Sequence, residues 1–334
     1  MNALLNQLVA DDKKINKDYY SDAFWTNKNK KIVREITNKS IKNFRGMHTS
    51  IGTNFADGLI YDYRNELNTK GQIVSLFYNM PLVKKIFEGQ LKVTSDYIKQ
   101  SLKYQSIMFQ NNSRVKELLK NYSFINTTEF GCIQKFSYEG KEYSCRYLEM
   151  ANRIDNIKKL IDFSKIKTYF EIGGGFGANI HFLLTNFKNV KKVVFLDRVP
   201  NLYVGTEYLR SFFGNSVIDY TKTKEMKEIK FKDDESLEIY CIAPWQIEKL
   251  NIEIDHFHNA CSFVEMPPKV IQNYAKHIYK NKVKSISIVD YEKFDPNATL
   301  DPKKFNNYFN NDLKFHSYPW VIPAIRKMIY SIKA

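Results

Sequence analysis

With 334 residues and 43% hydrophobic side chains, the chain is long enough for two folded domains and has an ordinary globular composition. No apolar run approaches the roughly 20 residues of a membrane-spanning helix, and Met1 to Ala10 lack the basic segment and unbroken apolar core of a signal peptide, so a cytoplasmic protein without a transmembrane segment is expected. The net charge of +15 is spread along the chain with no basic tail. It reads first as a Lys- and Asn-rich composition, with no nucleic-acid partner expected, and second as a preference for an anionic substrate such as a nucleotide sugar, or for peripheral contact with a negatively charged membrane. Cys132, Cys145, Cys241 and Cys261 have no C-x-x-C spacing and read as reduced thiols with no zinc site.

Residues 1–125 read mainly as helices. Ile32, Ile36, Ile41 and Phe44 recur at near-helical spacing, Pro81 starts a new helix within Leu76–Phe87, and Arg114–Leu119 is a further helical piece. The loop Asn43-Phe44-Arg45-Gly46-Met47-His48-Thr49 carries Arg45 and His48 among glycines. It is either a plain interhelical connection or a loop that contacts substrate. Residues 130–148 change character: aromatic and β-branched residues flank Glu139-Gly140-Lys141, which predicts a β-hairpin. A helix over Tyr147–Leu160 follows and leads into the glycine-rich strand. The boundary is placed at 146/147, with a helical, substrate-selecting cap before it and an α/β domain after it. Arg45, His48 and Arg146 are the cap's candidates for anionic substrate groups.

From Lys167 strands and helices alternate, the mark of a parallel sheet. Strands are predicted at 167–172, 192–196, 237–242, 254–259 and 283–290, and helices at 178–186, 202–213 and from Pro267-Pro268 to Ile278. Lys314 to Ala334 adds a strand and packing elements.

The stretch Tyr169-Phe170-Glu171-Ile172-Gly173-Gly174-Gly175-Phe176-Gly177-Ala178 is a strand, a glycine turn and a helix start. Glycines let a ligand approach the backbone, and the following helix offers unpaired N–H groups. Gly173, Gly175 and Ala178 fit the dinucleotide pattern G-x-G-x-x-A. The same residues fit Glu171-x-Gly173-x-Gly175-x-Gly177, and this segment resembles the acidic-plus-glycine motif of class I S-adenosylmethionine-dependent methyltransferases. Asp197, at the end of the second strand, would hold ribose hydroxyls in either case. Glu171 favours the methyltransferase pattern, because dinucleotide sites have an apolar residue there. The resemblance implies a Rossmann-like class I sheet behind an N-terminal mainly helical domain. It also implies S-adenosylmethionine held by Glu171, Gly173, Gly174, Gly175, Gly177 and Asp197. After the third strand the family carries an acid near the adenine. This chain has Ala243-Pro244-Trp245-Gln246 instead, and Trp245 either stacks on the adenine or packs in the core.

The segment Asp255 to Pro268 is expected to close the fourth strand and face the reactive end of the cofactor. Methyl transfer to a hydroxyl needs a proton acceptor and an aligned nucleophile. Glu265, His258 and His256 are the candidate catalytic groups, although each imidazole also reads as a buried structural one and Glu265 as a favourable acid at a helix start. Asn259 and Ser262 also read as groups that satisfy turn backbone. The run Asn259-Ala260-Cys261-Ser262-Phe263-Val264-Glu265-Met266 is similar to the N-x-x-S-F-x-E-M segment of a bacterial group of sugar O-methyltransferases of polysaccharide biosynthesis. That resemblance covers about 147–290 and implies Asn259, Ser262 and Glu265 as site residues, with Asn259 on the cofactor side and Ser262 on the substrate side. His258 stands where the group has an apolar residue. A magnesium-assisted variant would draw on Asp255, Asp290 and Glu292, but no metal is expected. Two competing readings are a nucleic-acid methyltransferase, which lacks its N/D-P-P-Y-type segment here, and a non-catalytic binding subunit on the same fold.

Overall fold

The computed structural model describes residues 3–14, 16–19, 29–30, 32–34, 36–37, 41–46, 112–132, 136–293, 300–321 and 327–334. His48 and the helix expected over Leu76–Phe87 lie outside them. Two compact units divide the chain, Met1–Ile41 with Glu149–Ala334, and Lys42–Leu148. The expected boundary at 146/147 falls close to the second junction, but the first 41 residues group with the sheet rather than with a helical cap. Helix α1 (Ala3–Asp12) buries Leu4, Leu5 and Leu8. Its last turn is tied to the sheet unit by polar contacts. Asp12 accepts two hydrogen bonds from the Arg198 guanidinium at 3.1 and 2.8 Å, and Asp11 accepts from Tyr220 Oη at 2.9 Å and Lys224 Nζ at 2.8 Å.

In the Lys42–Leu148 unit, helix α2 (Ser113–Asn121) is capped by Asn112, whose side-chain oxygen accepts from the N–H groups of Arg114 and Val115. The predicted hairpin is present as β1 (Phe136–Tyr138) and β2 (Lys141–Tyr143). Its two turn residues, Glu139 and Gly140, both have positive φ, as a tight hairpin turn of this type requires. Helix α3 (Cys145–Lys158) runs across the junction between the units.

The other unit is built on β3 (Thr168–Ile172), β4 (Lys192–Leu196), β5 (Val217–Ile218), β6 (Glu238–Ile242), β7 (His256–Ala260), β8 (Ser285–Tyr291), β9 (Lys314–Pro319) and β10 (Lys327–Lys333). They form an eight-stranded sheet in the order β5-β6-β4-β3-β7-β8-β10-β9. Pairs from β5 to β8 are parallel, and β10 is antiparallel to both β8 and β9. This is a mixed, Rossmann-like α/β sheet. Helices α4 (Ala178–Asn186), α5 (Asn201–Phe213) and α7 (Pro268–Lys280) follow β3, β4 and β7, with short α6 (Tyr220–Glu225) between β5 and β6. β4 and β6 are buried along their whole length, which is why they read as continuous apolar runs. The chain leaves β3 towards β4 on one side and continues through β7 on the other, so the strand order reverses beside β3. In such sheets ligands bind outside the carboxyl ends of the strands at that reversal.

Candidate functional site

The glycine turn leaves β3 at the point of reversal. Gly173, Gly175 and Gly177 have φ of 75°, 62° and 82°, in the left-handed region that favours glycine. Their surroundings differ. A Cβ on Gly173 would lie 2.1 Å from Ser262 Oγ, and one on Gly177 would meet Leu209 at 2.9 Å. A Cβ on Gly175 would meet nothing within 4 Å. Two of the three glycines are therefore demanded by packing, and Gly175 leaves backbone open to a ligand.

Asp197 follows β4 directly. Its carboxylate accepts the N–H of Gly175 at 2.9 Å and of Arg198 at 2.7 Å. Burial pushes its pKa up to about 7 against the pull of these bonds. The carboxylate thus clamps the glycine turn and keeps acceptor capacity on its oxygens, as a ribose-binding acid requires.

Glu171, on β3, is 2% exposed. Burial pushes its carboxyl up to about 7, while Arg153 and Asn179 pull it down. Its Oε2 has no hydrogen-bond partner among the described residues. An acid so placed, two residues before an open glycine turn, is suited to a cationic ligand group. Arg153 of α3 is the cation in electrostatic reach of it, and its only hydrogen-bond contact among the described residues is Met150 Sδ at 3.8 Å. Sequence reasoning missed Arg153, because nothing in its helix marks which side chain reaches the sheet.

On β7 the register sets Glu171 beside His258 and Tyr169 beside His256. The strand begins at His256, so His256 lies at its amino-terminal end and not at the reactive end where it was expected. Both of its ring nitrogens are occupied, Nδ1 by Ser285 Oγ at 2.9 Å and Nε2 by Ser287 Oγ at 2.8 Å. Burial holds its pKa down at about 3. His258, 1% exposed, contacts Ser287 Oγ through Nδ1 at 2.7 Å, and its Nε2 has no partner among the described residues. Its pKa also lies well below the usual imidazole range, from burial first and then from Arg153 and His256.

The segment after β7 turns sharply at Cys261, whose φ is 54°. Asn259 spans the gap: its Nδ2 donates to Ile172 O at 2.8 Å and its Oδ1 accepts from Phe263 N at 3.1 Å. Its side chain ties the end of β3 to the turn that carries Ser262 and Glu265. Ser262 sits against Gly173, and Glu265, half-buried, ends a short 3-10 turn. Asp290, near the end of β8, is fully buried with both carboxylate oxygens unpartnered among the described residues. Burial raises its pKa well above the usual carboxylate range, and Glu265 adds to that shift.

The remaining candidates divide clearly. Ala243 is buried and its N–H donates to Gln246 Oε1 at 2.8 Å. Trp245 packs against the apolar core and meets Tyr220 edge-on at 5.9 Å. Arg45 belongs to the Lys42–Leu148 unit and is 2% exposed; its guanidinium donates to Thr127 O at 2.8 Å and to Ser144 Oγ. That is the setting of a strut within its own unit. Arg146 lies in the first turn of α3, in the same unit. The magnesium set does not assemble. Asp255 accepts the N–H groups of Lys167 and Thr168 at the amino-terminal edge of the sheet, whereas Asp290 lies near the carboxyl end of β8. Among the described residues no three His, Cys, Asp or Glu side chains gather as a metal-ligand set.

No protein-family model and no curated protein matches the chain. Among solved structures it is similar to the mitomycin 7-O-methyltransferase MmcR, with 16% identity, a TM-score of 0.36 and 57% of each chain covered. It is also similar to the pyocyanin biosynthetic protein PhzM, with 10% identity, a TM-score of 0.40, and 80% of this chain and 74% of that one covered. Human N-acetylserotonin methyltransferase in complex with SAM is a third, with 11% identity, a TM-score of 0.34 and 56% of each chain covered. The chain thus spans little more than half the length of the first and third. These likenesses are distant, and nothing about activity follows from them.

Proposed function

We propose that the chain is an S-adenosylmethionine-dependent O-methyltransferase that acts on a sugar hydroxyl. The observation that carries the cofactor reading is the pairing of two buried acids with one open glycine turn at the reversal of strand order. Asp197 is set for a ribose diol, Gly175 for close backbone approach, and Glu171 with Arg153 for the charged amino-acid end. Gly173, Gly174 and Gly177 shape the turn, and Asn259 holds the facing segment against it. Trp245 and Ala243 follow β6 on the adenine side. The bound cofactor supplies an electrophilic methyl carbon on a sulfonium sulfur.

The chain's own residues supply positioning and a proton acceptor. Glu265 is the first choice for that acceptor, being half-buried at the end of the short turn that follows Ser262, which itself lies against Gly173. His256 is unsuited because both nitrogens are occupied, and His258 because burial opposes its protonation. Ser262, against Gly173, is placed to orient the hydroxyl. The sugar class rests on the likeness of Asn259–Met266 to the sugar O-methyltransferase segment.

Calorimetry with S-adenosylmethionine and its product S-adenosylhomocysteine tests the cofactor reading, and absence of binding to both ends it. Methyl transfer to a panel of nucleotide sugars and glycans, with RNA as the comparison acceptor, tests the substrate. Glu265→Gln is expected to lower turnover by about 100-fold or more with cofactor affinity unchanged. Full turnover in that variant would remove Glu265 from the mechanism.

A further inference from the structure

A run of hydrogen bonds across β7 and β8 determines where the protons lie. Ser285 Oγ donates to the carbonyl of Asp255 at 2.7 Å. A hydroxyl has one proton to give, so in its contact with His256 Nδ1 at 2.9 Å the ring is the donor. His256 is 0% exposed and neutral, which leaves Nε2 bare, and Ser287 Oγ donates to it at 2.8 Å. The single proton of Ser287 is then committed. His258 Nδ1, 2.7 Å from the same oxygen, must therefore donate to it. A neutral His258 protonated on Nδ1 carries a lone pair on Nε2, the atom that has no partner among the described residues.

That lone pair does not stand alone. Glu171 is the register neighbour of His258 on the same face of adjacent parallel strands, which lie about 4.8 Å apart. Glu171 Oε2 is likewise without a partner among the described residues. Both side chains are nine-tenths or more buried. The two atoms do not bond each other, and with Glu171 ionised both are acceptors, so the pair calls for a donor between them. A primary ammonium brings three N–H groups and a charge that favours the carboxylate form of Glu171.

We propose that His258 Nε2 and Glu171 Oε2 together bind the α-ammonium of the cofactor's amino-acid group, with Ser285, His256 and Ser287 acting as positioning residues that hold the His258 lone pair outward. This rests on the cofactor reading above. It assigns His258, which departs from the sugar O-methyltransferase pattern, to ligand binding rather than to proton abstraction.

The test compares two ligands by calorimetry: S-adenosylhomocysteine, which has the amino-acid group, and 5′-methylthioadenosine, which lacks it. His258→Asn keeps an N–H donor for Ser287 and deletes the Nε2 acceptor. It is expected to weaken S-adenosylhomocysteine by about tenfold and to leave 5′-methylthioadenosine within about twofold. His258→Gln, which returns an amide acceptor further out, is expected to recover part of the loss. His256→Phe frees the Ser287 proton to turn to His258 Nδ1, moving the ring proton to Nε2, and is expected to weaken S-adenosylhomocysteine selectively without touching it. ¹⁵N shifts of the His258 ring report the tautomer in the ligand-free protein. Equal losses for both ligands, no loss in His258→Asn, or a protonated Nε2 in the unsubstituted protein would overturn the proposal. Failure of the unsubstituted protein to bind either ligand would instead sink the cofactor reading, and the proposal with it.

Discussion

The two faces of the strands β3, β7 and β8 are equally buried and chemically opposite. On one face Phe170, Ile172, Phe257, Ile286 and Ile288 join an apolar cluster with Phe263, Ile271 and Tyr274. On the other, Tyr169, Glu171, His256, His258, Ser285 and Ser287 stand in register, and most are tied by hydrogen bonds. Alternation of apolar and polar residues along a strand is ordinarily the mark of a face open to water. Here the polar residues face the interior, and the network replaces water. An apolar face is held by area and packing, which tolerate imprecision in direction. A polar interior face is held by pairing, and the atoms left unpaired, Glu171 Oε2 and His258 Nε2, mark where a ligand belongs.

Truncation separates the faces most strongly. Phe257→Ala, at 0% exposure within the apolar cluster, is expected to cost about 3–5 kcal/mol in denaturant unfolding. A cost below 1 kcal/mol would mean that this face is not the packed core.

Acidity sharpens the contrast next. Glu171 has a folded pKa of about 7, above its unfolded value, so the folded state binds more protons between about pH 4 and 7 and loses stability as pH rises through that window. Glu171→Gln removes the penalty. It is expected to stabilise the ligand-free protein by up to about 3 kcal/mol at pH 8, with the gain vanishing near pH 4 and cofactor affinity reduced. Parallel stability–pH curves for the two proteins would refute the assignment.

A smaller effect comes from the network itself. His256→Leu removes the ring donor to Ser285 Oγ and forces the Ser287 proton to turn to His258, and about 1–3 kcal/mol should be lost. A neutral outcome would show that the ring serves only as filler. The smallest effect lies outside both faces. Asp12→Asn weakens the partly buried contact of α1 with Arg198 and should cost about 1 kcal/mol, leaving ligand affinity alone.

Much of the fold was legible because its signals are local. The strand at Lys192–Leu196 and the helix at Ala178–Asn186 lie where the sequence placed them, the strands predicted at 167–172, 237–242, 254–259 and 283–290 agree to within a few residues, and the two-residue β5 was missed. Continuous apolar runs, a glycine turn and Pro-Pro at a helix start announce themselves within a short window. The terminal region was read less fully. One strand was expected after Lys314, and two are present, β9 and β10, because a hairpin added to a parallel sheet has no marker of its direction. The placement of residues 1–41 with the sheet was also hidden, since it depends on Asp11 and Asp12 meeting partners more than 180 residues away.

The candidate site was legible in its glycines and acids and illegible in its imidazoles. Gly173 and Gly175 are marked by a strand that runs into a left-handed turn, whereas Glu171 and Asp197 are marked by the resemblance to the methyltransferase motif. His256 and His258 looked alike in the sequence. Tertiary structure separated them by placing Ser285 and Ser287, 29 and 31 residues from His256, across a register that no local pattern encodes. The sequence by itself thus determined that a glycine turn lies between two acids, each at the carboxyl end of a strand. Strand pairing alone decided which buried atoms find partners and which stand empty, because a hydrogen bond depends on the position of its other end.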